Sequence, residues 1–239
     1  MSAVVDSLSV KVFADGADLD SILALAENPR IAGFTTNPTL MWKAGLTDYR
    51  DFAERLLERI TTHPISFEVF ADDVDEMRRQ AKLIASWGNN VYVKIPVTTT
   101  SGESMAPLVR ELSEGGVKVN VTALFTTAQV ELLTAAVKDG APSYLSVFAG
   151  RIADAGIEPL PIMAQAVSIM LDAPRSELIW ASPREILNVV QADQVGCHII
   201  TMTHDLLAKL GSLGKDLDQF SLETVQMFHR DARSAGFTL

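Results

Sequence analysis

The sequence contains a single cysteine, Cys197, so it forms no internal disulfide and its fold must rest on a packed core. That usage points to a reducing compartment, and a cytoplasmic location is the expectation. Its four histidines, His63, His198, His204 and His229, fall in neither an HExxH motif nor a Cys/His cluster, so no metal site is expected. Neither GxGxxG nor a P-loop is present, which leaves no nucleotide fingerprint and no expected cofactor. No apolar run approaches the roughly 20 residues that span a bilayer, so no membrane partner is expected, and Met1 to Ser9 reads as a short lead-in rather than a targeting segment. Basic residues are scarce, 20 against 30 acidic ones, and a net charge of −10 repels nucleic acid. A small anion is still admissible, because a few arginines in one pocket act at short range while distant charges are screened. Linkers rich in proline or serine are also missing, so residues 1–239 read as one domain.

What is present is a core-forming composition, 48% hydrophobic, arranged as short apolar runs that alternate with longer amphipathic ones. Eight candidate strands stand out: Val10 to Ala14, Ile31 to Thr35, Ile65 to Phe70, Val91 to Ile95, Val117 to Val121, Tyr144 to Val147, Leu178 to Ala181 and Cys197 to Thr201. In Tyr49 to Thr61, Phe52, Leu56, Leu57 and Ile60 share one helical face, as do Met77, Ala81 and Ile84 in Val74 to Trp87. Thr126 or Thr127 is a candidate N-cap for a helix reaching Lys138, and Ser182 with Pro183 an N-cap and first-turn pair for another. Eight βα units in 239 residues predict an α/β fold, a (β/α)8 TIM barrel. An additional C-terminal helix, about 221–235, is expected from Leu222, Val225, Met227 and Phe228.

In such a barrel the site lies at the C-terminal strand ends. Those ends carry Asp15, Thr35 with Thr36 and Asn37, Glu68, Lys94, Asn120 with Thr122, Ser146, and Ser182 with Arg184 just beyond. Any one of them is an ordinary solvated strand end; convergence on one rim is what points to function. Lys94 is the sharpest case, since alternation in Val91-Tyr92-Val93-Lys94-Ile95-Pro96 sets it opposite Val91, Val93 and Ile95 and aims it inward. Burial there disfavours the ammonium and favours the nucleophilic amine. A structural ion pair with Asp15 or Glu68 is the equally weighted alternative.

These residues also form a recognisable set. Phe13-Ala14-Asp15, Thr35-Thr36-Asn37-Pro38-Thr39-Leu40, Phe67-Glu68-Val69, Val93-Lys94-Ile95-Pro96, Asn120-Val121-Thr122 and Ser146 to Ile152 occur in this order, and from Val12 to about Leu207 the chain resembles the transaldolase family, with its short members and the fructose-6-phosphate aldolases. The resemblance implies a lysine Schiff-base enzyme moving a dihydroxyacetone unit between sugar phosphates, with Lys94 as nucleophile and Asp15 as acid/base. It assigns Glu68 and Thr122 to a proton-shuttling water, and Asn37, Asn120 and Ser146 to the hydroxyls of the bound fragment. Arg151 and Arg184 would hold the terminal phosphate. Thr35, Phe148 and Ser182 would line the same pocket. Glu68 and Phe148 look like the transferase versions of positions where the aldolase branch tends to carry Gln and Tyr. The alternatives are aldolase-type cleavage and a sugar-phosphate-binding barrel without turnover. Departures are Gly16, where a small hydroxyl residue is usual, Val147, where proline is frequent, and the Thr- and Ser-rich Thr98 to Glu103. Self-association is compatible with the extra C-terminal helix.

Overall fold

The computed structural model describes residues 7–237, so most of the expected lead-in lies outside the described residues. Eight parallel strands close in sequence order: β1 (Lys11–Asp15), β2 (Ile31–Thr35), β3 (Ile65–Glu68), β4 (Val91–Pro96), β5 (Val119–Leu124), β6 (Tyr144–Val147), β7 (Glu177–Trp180) and β8 (Ile199–Thr203), which pairs back onto β1. The helices are α1 (Leu19–Ala26), α2 (Pro38–Lys43), α3 (Tyr49–Arg59), α4 (Val74–Ala85), α5 (Ala106–Glu114), α6 (Thr127–Val137), α7 (Ala149–Asp154), α8 (Pro159–Ile169), α9 (Leu187–Gln194), α10 (His204–Leu207) and α11 (Leu217–Ser234). The architecture is the expected (β/α)8 TIM barrel with an extra C-terminal helix. Among the described residues no helix is long and apolar enough to cross a membrane.

Strand alternation divides the core into two layers. Val91, Val93 and Ile95 turn outward into the layer beneath the helices, where Met77, Ala81 and Ile84 of α4 also lie. Each side chain fully buried there contributes roughly 1.5–3 kcal/mol. Inside the barrel, Phe13, Tyr92, Tyr144, Ile179, Ala181 and Ile199 form a separate plug. The Tyr92 and Tyr144 rings stack at 4.0 Å and Phe13 meets Tyr144 edge-on at 5.7 Å. Gly33 makes room for this plug, because a Cβ there would sit 2.5 Å from Phe13 Cζ.

Several boundaries differ from the sequence expectation for local reasons. β5 and β8 each begin two residues late, at Val119 and Ile199. The preceding helices end in left-handed Gly116 and Gly196, after which Val117 N and Cys197 N donate back to Leu112 O and Ala192 O, each at 2.9 Å. This closure of the helix C-terminus removes both residues from the ladder. β3 stops at Glu68 because Phe70 N and Ala71 N donate to the Gln80 side chain of α4 at 2.8 and 3.1 Å. Thr126 caps α6 in a reciprocal capping box with Gln129. The expected cap at Ser182 is a correction: α9 starts at Leu187, Ser182 takes a left-handed φ of 56°, and Asn188 Oδ1 accepts from Arg184 N and Glu185 N instead. Asp216 caps α11, which therefore begins four residues before Ser221. None of the α11 residues is buried, and Leu222, Val225 and Phe228 face solvent.

Candidate active site

The C-terminal strand ends enclose a cavity of about 410 Å³. Its lining includes Asp15, Thr35, Asn37, Glu68, Lys94, Asn120, Thr122, Ser146, Phe148, Arg151, Ser182 and Thr201. Register builds the centre, because Lys94 pairs with Glu68 on one side and with Asn120 on the other, setting three inward polar side chains at one level. Lys94 is 7% exposed, and its Nζ donates to Thr36 O at 2.5 Å and to Glu68 Oε2 at 3.1 Å. The ion pair that the sequence left as an alternative is thus present, inside the cavity. Tyr49, the first residue of α3, anchors Glu68 by its backbone: Glu68 N donates to the Tyr49 hydroxyl at 2.6 Å, and the hydroxyl donates to Glu68 O at 3.3 Å. Burial raises the Tyr49 phenol far above its ordinary range, so it remains a hydrogen-bonding group.

Asp15 ends β1 across the mouth. Thr35 Oγ1 donates to its Oδ1 at 2.8 Å and Asn37 Nδ2 to its Oδ2 at 3.3 Å. Thr35 and Thr201 hydroxyls lie 2.6 Å apart. A hydroxyl has one hydrogen, and Thr35 gives its own to Asp15, so Thr201 is the donor in that contact. Burial holds the Asp15 carboxyl above the ordinary carboxylate range. Lys94 and the Thr35 hydrogen bond pull it down, the Glu68 charge pushes it up, and Asn37 opposes the rise without cancelling it. The centre therefore offers an amine in contact with one carboxylate, beside a second carboxyl with enhanced proton affinity. Such a set is able to attack a carbonyl and to exchange protons with a hydroxyl.

Asn37 serves two purposes, since its Oδ1 also caps α2 by accepting from Leu40 N at 2.9 Å. Asn120 is fully buried; its Nδ2 donates to Ser66 Oγ at 2.9 Å and its Oδ1 accepts from Ser146 Oγ at 2.7 Å. This chain fixes the amide orientation across β3, β5 and β6. Thr122, aligned with Pro96, is 4% exposed on the cavity wall. The Arg151 guanidinium lies 5.3 Å from the centre of the Phe148 ring, at the mouth.

Arg184 departs from expectation. It is absent from the cavity lining, and its Nε donates to both carboxylate oxygens of Asp154, at 2.9 and 3.0 Å, with Nη2 adding a further bond. Arg151 is therefore alone at the mouth, because the α7 carboxylate captures the second guanidinium. Ser182 does line the cavity, in a left-handed conformation that Ala123 on β5 shares. Sequence reasoning missed Tyr49, Ser66 and Thr201. Period-two alternation puts Ser66 two residues before Glu68 and Thr201 two after Ile199, which was a usable signal; Tyr49 opens a helix and offered none. Among the described residues no group of three or more His, Cys, Asp or Glu side chains converges as metal ligands.

Comparison with known proteins bears on the family and the fold. A "Probable transaldolase" of Streptococcus equi subsp. zooepidemicus is 37% identical over 204 residues, covering 84% of this chain and 90% of that protein. Its counterpart in a Thermoanaerobacter species is 35% identical over 233 residues, 96% of this chain and 100% of the other. The crystal structure of 2,3-dimethylmalate lyase, 14% identical with a TM-score of 0.56, covers 98% of this chain and 86% of its own and shares the fold. The family described as Transaldolase/Fructose-6-phosphate aldolase matches residues 12–239, and the chain belongs to it.

Proposed function

We propose that the protein is a transaldolase that carries a dihydroxyacetone unit from a ketose phosphate to an aldose phosphate as a Schiff base on Lys94. The observation behind this is the buried amine of Lys94, in contact with Glu68 in a cavity that Asp15 also lines. Glu68 takes a proton from the Lys94 ammonium, the freed amine attacks the ketose C2, and Glu68 returns the proton to the carbinolamine hydroxyl, which leaves as water to give the protonated imine. Asp15 then removes the C4 hydroxyl proton, the C3–C4 bond breaks, and its electron pair moves into the imine to leave an enamine while an aldehyde departs. The enamine attacks the second aldehyde, Asp15 returns its proton to the new alkoxide, and water releases the product. The imine supplies the electron sink, so the reaction needs neither metal nor organic cofactor.

Transfer is favoured over cleavage because Phe148 presents a ring without a hydroxyl to the cavity, and so gives no support to a water that would protonate the enamine. Asn37, Asn120 and Ser146 hold the fragment's hydroxyls, with Thr122 and Glu68 on the shuttling water. Arg151 and Arg184 are assigned to the phosphate, and Ser182 to the wall of the same pocket. The reading carries a cytoplasmic place in pentose phosphate metabolism. It also carries a self-associated form in which copies meet through the unburied α11. The test is borohydride reduction with fructose 6-phosphate, followed by mass spectrometry of the Lys94 peptide. Added mass on that peptide, absent in Lys94→Met, is the expected result; an unmodified wild-type peptide refutes the mechanism. Product formed at the same rate with and without an acceptor aldehyde would favour the aldolase alternative.

A further inference from the structure

Asp154 stands outside the chemistry above, yet it holds one of the two arginines assigned to the phosphate. We infer that Asp154 is a positioning residue that sets the affinity for a phosphorylated substrate: it holds Arg184 off the cavity and yields it to a phosphate dianion. The inference deepens the proposed function and rests on its assignment of a phosphate to this rim.

The backbone of Arg184 is fixed. Arg184 N donates to Asn188 Oδ1 at 2.8 Å, and Gly150 N donates to Ala181 O at 3.3 Å. The contact between the two segments is so close that a Cβ on Gly150 would fall 1.5 Å from Ser182 O. What remains free to turn is the side chain. Its Nε and Nη2 edge, the one suited to a two-oxygen anion, is occupied by Asp154. Two residues earlier Ser182 lines the cavity, and Arg151 lines it from the same helix as Asp154, three residues before it. A rotation of the Arg184 side chain would therefore bring it toward the anion that Arg151 meets.

The latch is weak enough to exchange. The two side chains are 47% and 52% exposed, and pairs so placed contribute little in water. A phosphate monoester carries about −1.5 to −2 charge near neutrality and three acceptor oxygens, so it competes well with one carboxylate. The Asp154 carboxyl is held below the ordinary range by its Arg184 hydrogen bonds, with Arg151 contributing, so it stays ionised and continues to compete. An unphosphorylated sugar offers Arg184 only neutral hydroxyl acceptors, which do not displace a carboxylate, and leaves the latch closed. Affinity for the phosphate is thus set by this exchange and is lower than two open arginines would give.

The test measures affinity for inorganic phosphate by calorimetry, and KM for fructose 6-phosphate and for fructose, in wild type, Asp154→Asn, Asp154→Glu, Arg184→Gln and the Asp154→Asn/Arg184→Gln pair. Asp154→Asn should tighten phosphate and lower KM for fructose 6-phosphate, each by about two- to five-fold, the span of a surface ion pair. The constants for fructose should move by less than that, kcat should hold, and Asp154→Glu should restore wild-type values. Arg184→Gln should erase the gain. Phosphate affinity that is unchanged or weaker in Asp154→Asn, or tightening that survives in the double variant, overturns the inference. Absence of a borohydride adduct on wild-type Lys94 would sink the proposed reaction, whereas the phosphate affinities would still decide the role of Asp154.

Discussion

Replacing Lys94 with Met asks how much of the fold's stability depends on this inward charge. With Nζ and Oε2 at 3.1 Å and side-chain exposures of 9% and 16%, the Coulomb attraction is about 5 kcal/mol at an effective dielectric of about 20. Most of it offsets the desolvation of the two groups. Met preserves much of the volume, so the main loss is electrostatic: Glu68 remains in the cavity wall beside a second carboxyl, Asp15, without its cation. Stranding one member of a buried pair costs roughly 3–5 kcal/mol, and the opening to the cavity places this case near 3. At about 2–4 °C per kcal/mol, the melting temperature should fall by about 6–12 °C. Glu68→Gln in the Lys94→Met background removes the stranded charge and should recover about 2 kcal/mol, so the two substitutions are not additive. Calorimetry at about pH 7 measures both. A Lys94→Met protein that melts at or above wild type, or strictly additive effects, would refute the stranded-charge reasoning.

Asp15→Asn should retain the borohydride adduct on Lys94 but lose about 10²–10⁴-fold in carbon–carbon cleavage, which steady-state rates measure. Because burial sets the folded-state proton affinity of Asp15 above its ordinary 3.8, ionisation lowers stability as pH rises through the folded-state value. The Asn variant should accordingly melt higher than wild type near neutrality and lose that advantage in acid; a lower melting temperature at about pH 7 would contradict the sign. Tyr49→Phe removes the acceptor for Glu68 N and the donor to Glu68 O, for about 1–2 kcal/mol in urea unfolding and a drop in kcat larger than any change in KM. Cys197, 3% exposed and with its thiol pushed up to about 12 by burial, should resist a disulfide reagent in the folded protein and react on unfolding.

The barrel was legible because its signals are local. Strand alternation sends Lys94 inward, and Thr126, one of two adjacent candidate caps, starts α6. The ends of β5 and β8 were less so, since Val117 and Cys197 look like strand residues in composition but spend their N–H groups closing a helix. The rim could be read as a roster of side chains, not as a set of pairings. Thr35 and Thr201 are 166 positions apart, Lys94 and Thr36 are 58, and only barrel closure brings such groups together. Arg184 illustrates the gap: its residue type suits an anion, but its nearest carboxylate comes from a helix 30 positions earlier.

The one-way order of hydroxyls from Thr201 through Thr35 has a consequence for chirality. Asp15 Oδ1 already receives a hydrogen at 2.8 Å, while Oδ2 has only the longer 3.3 Å contact from Asn37. Under the proposed chemistry an incoming proton is better accommodated on Oδ2, so the substrate alcohol that reaches that oxygen is the one deprotonated. The epimer at that carbon would turn its alcohol away from Oδ2. Handedness of the product would then be selected by a pair of threonines on two strands of the barrel.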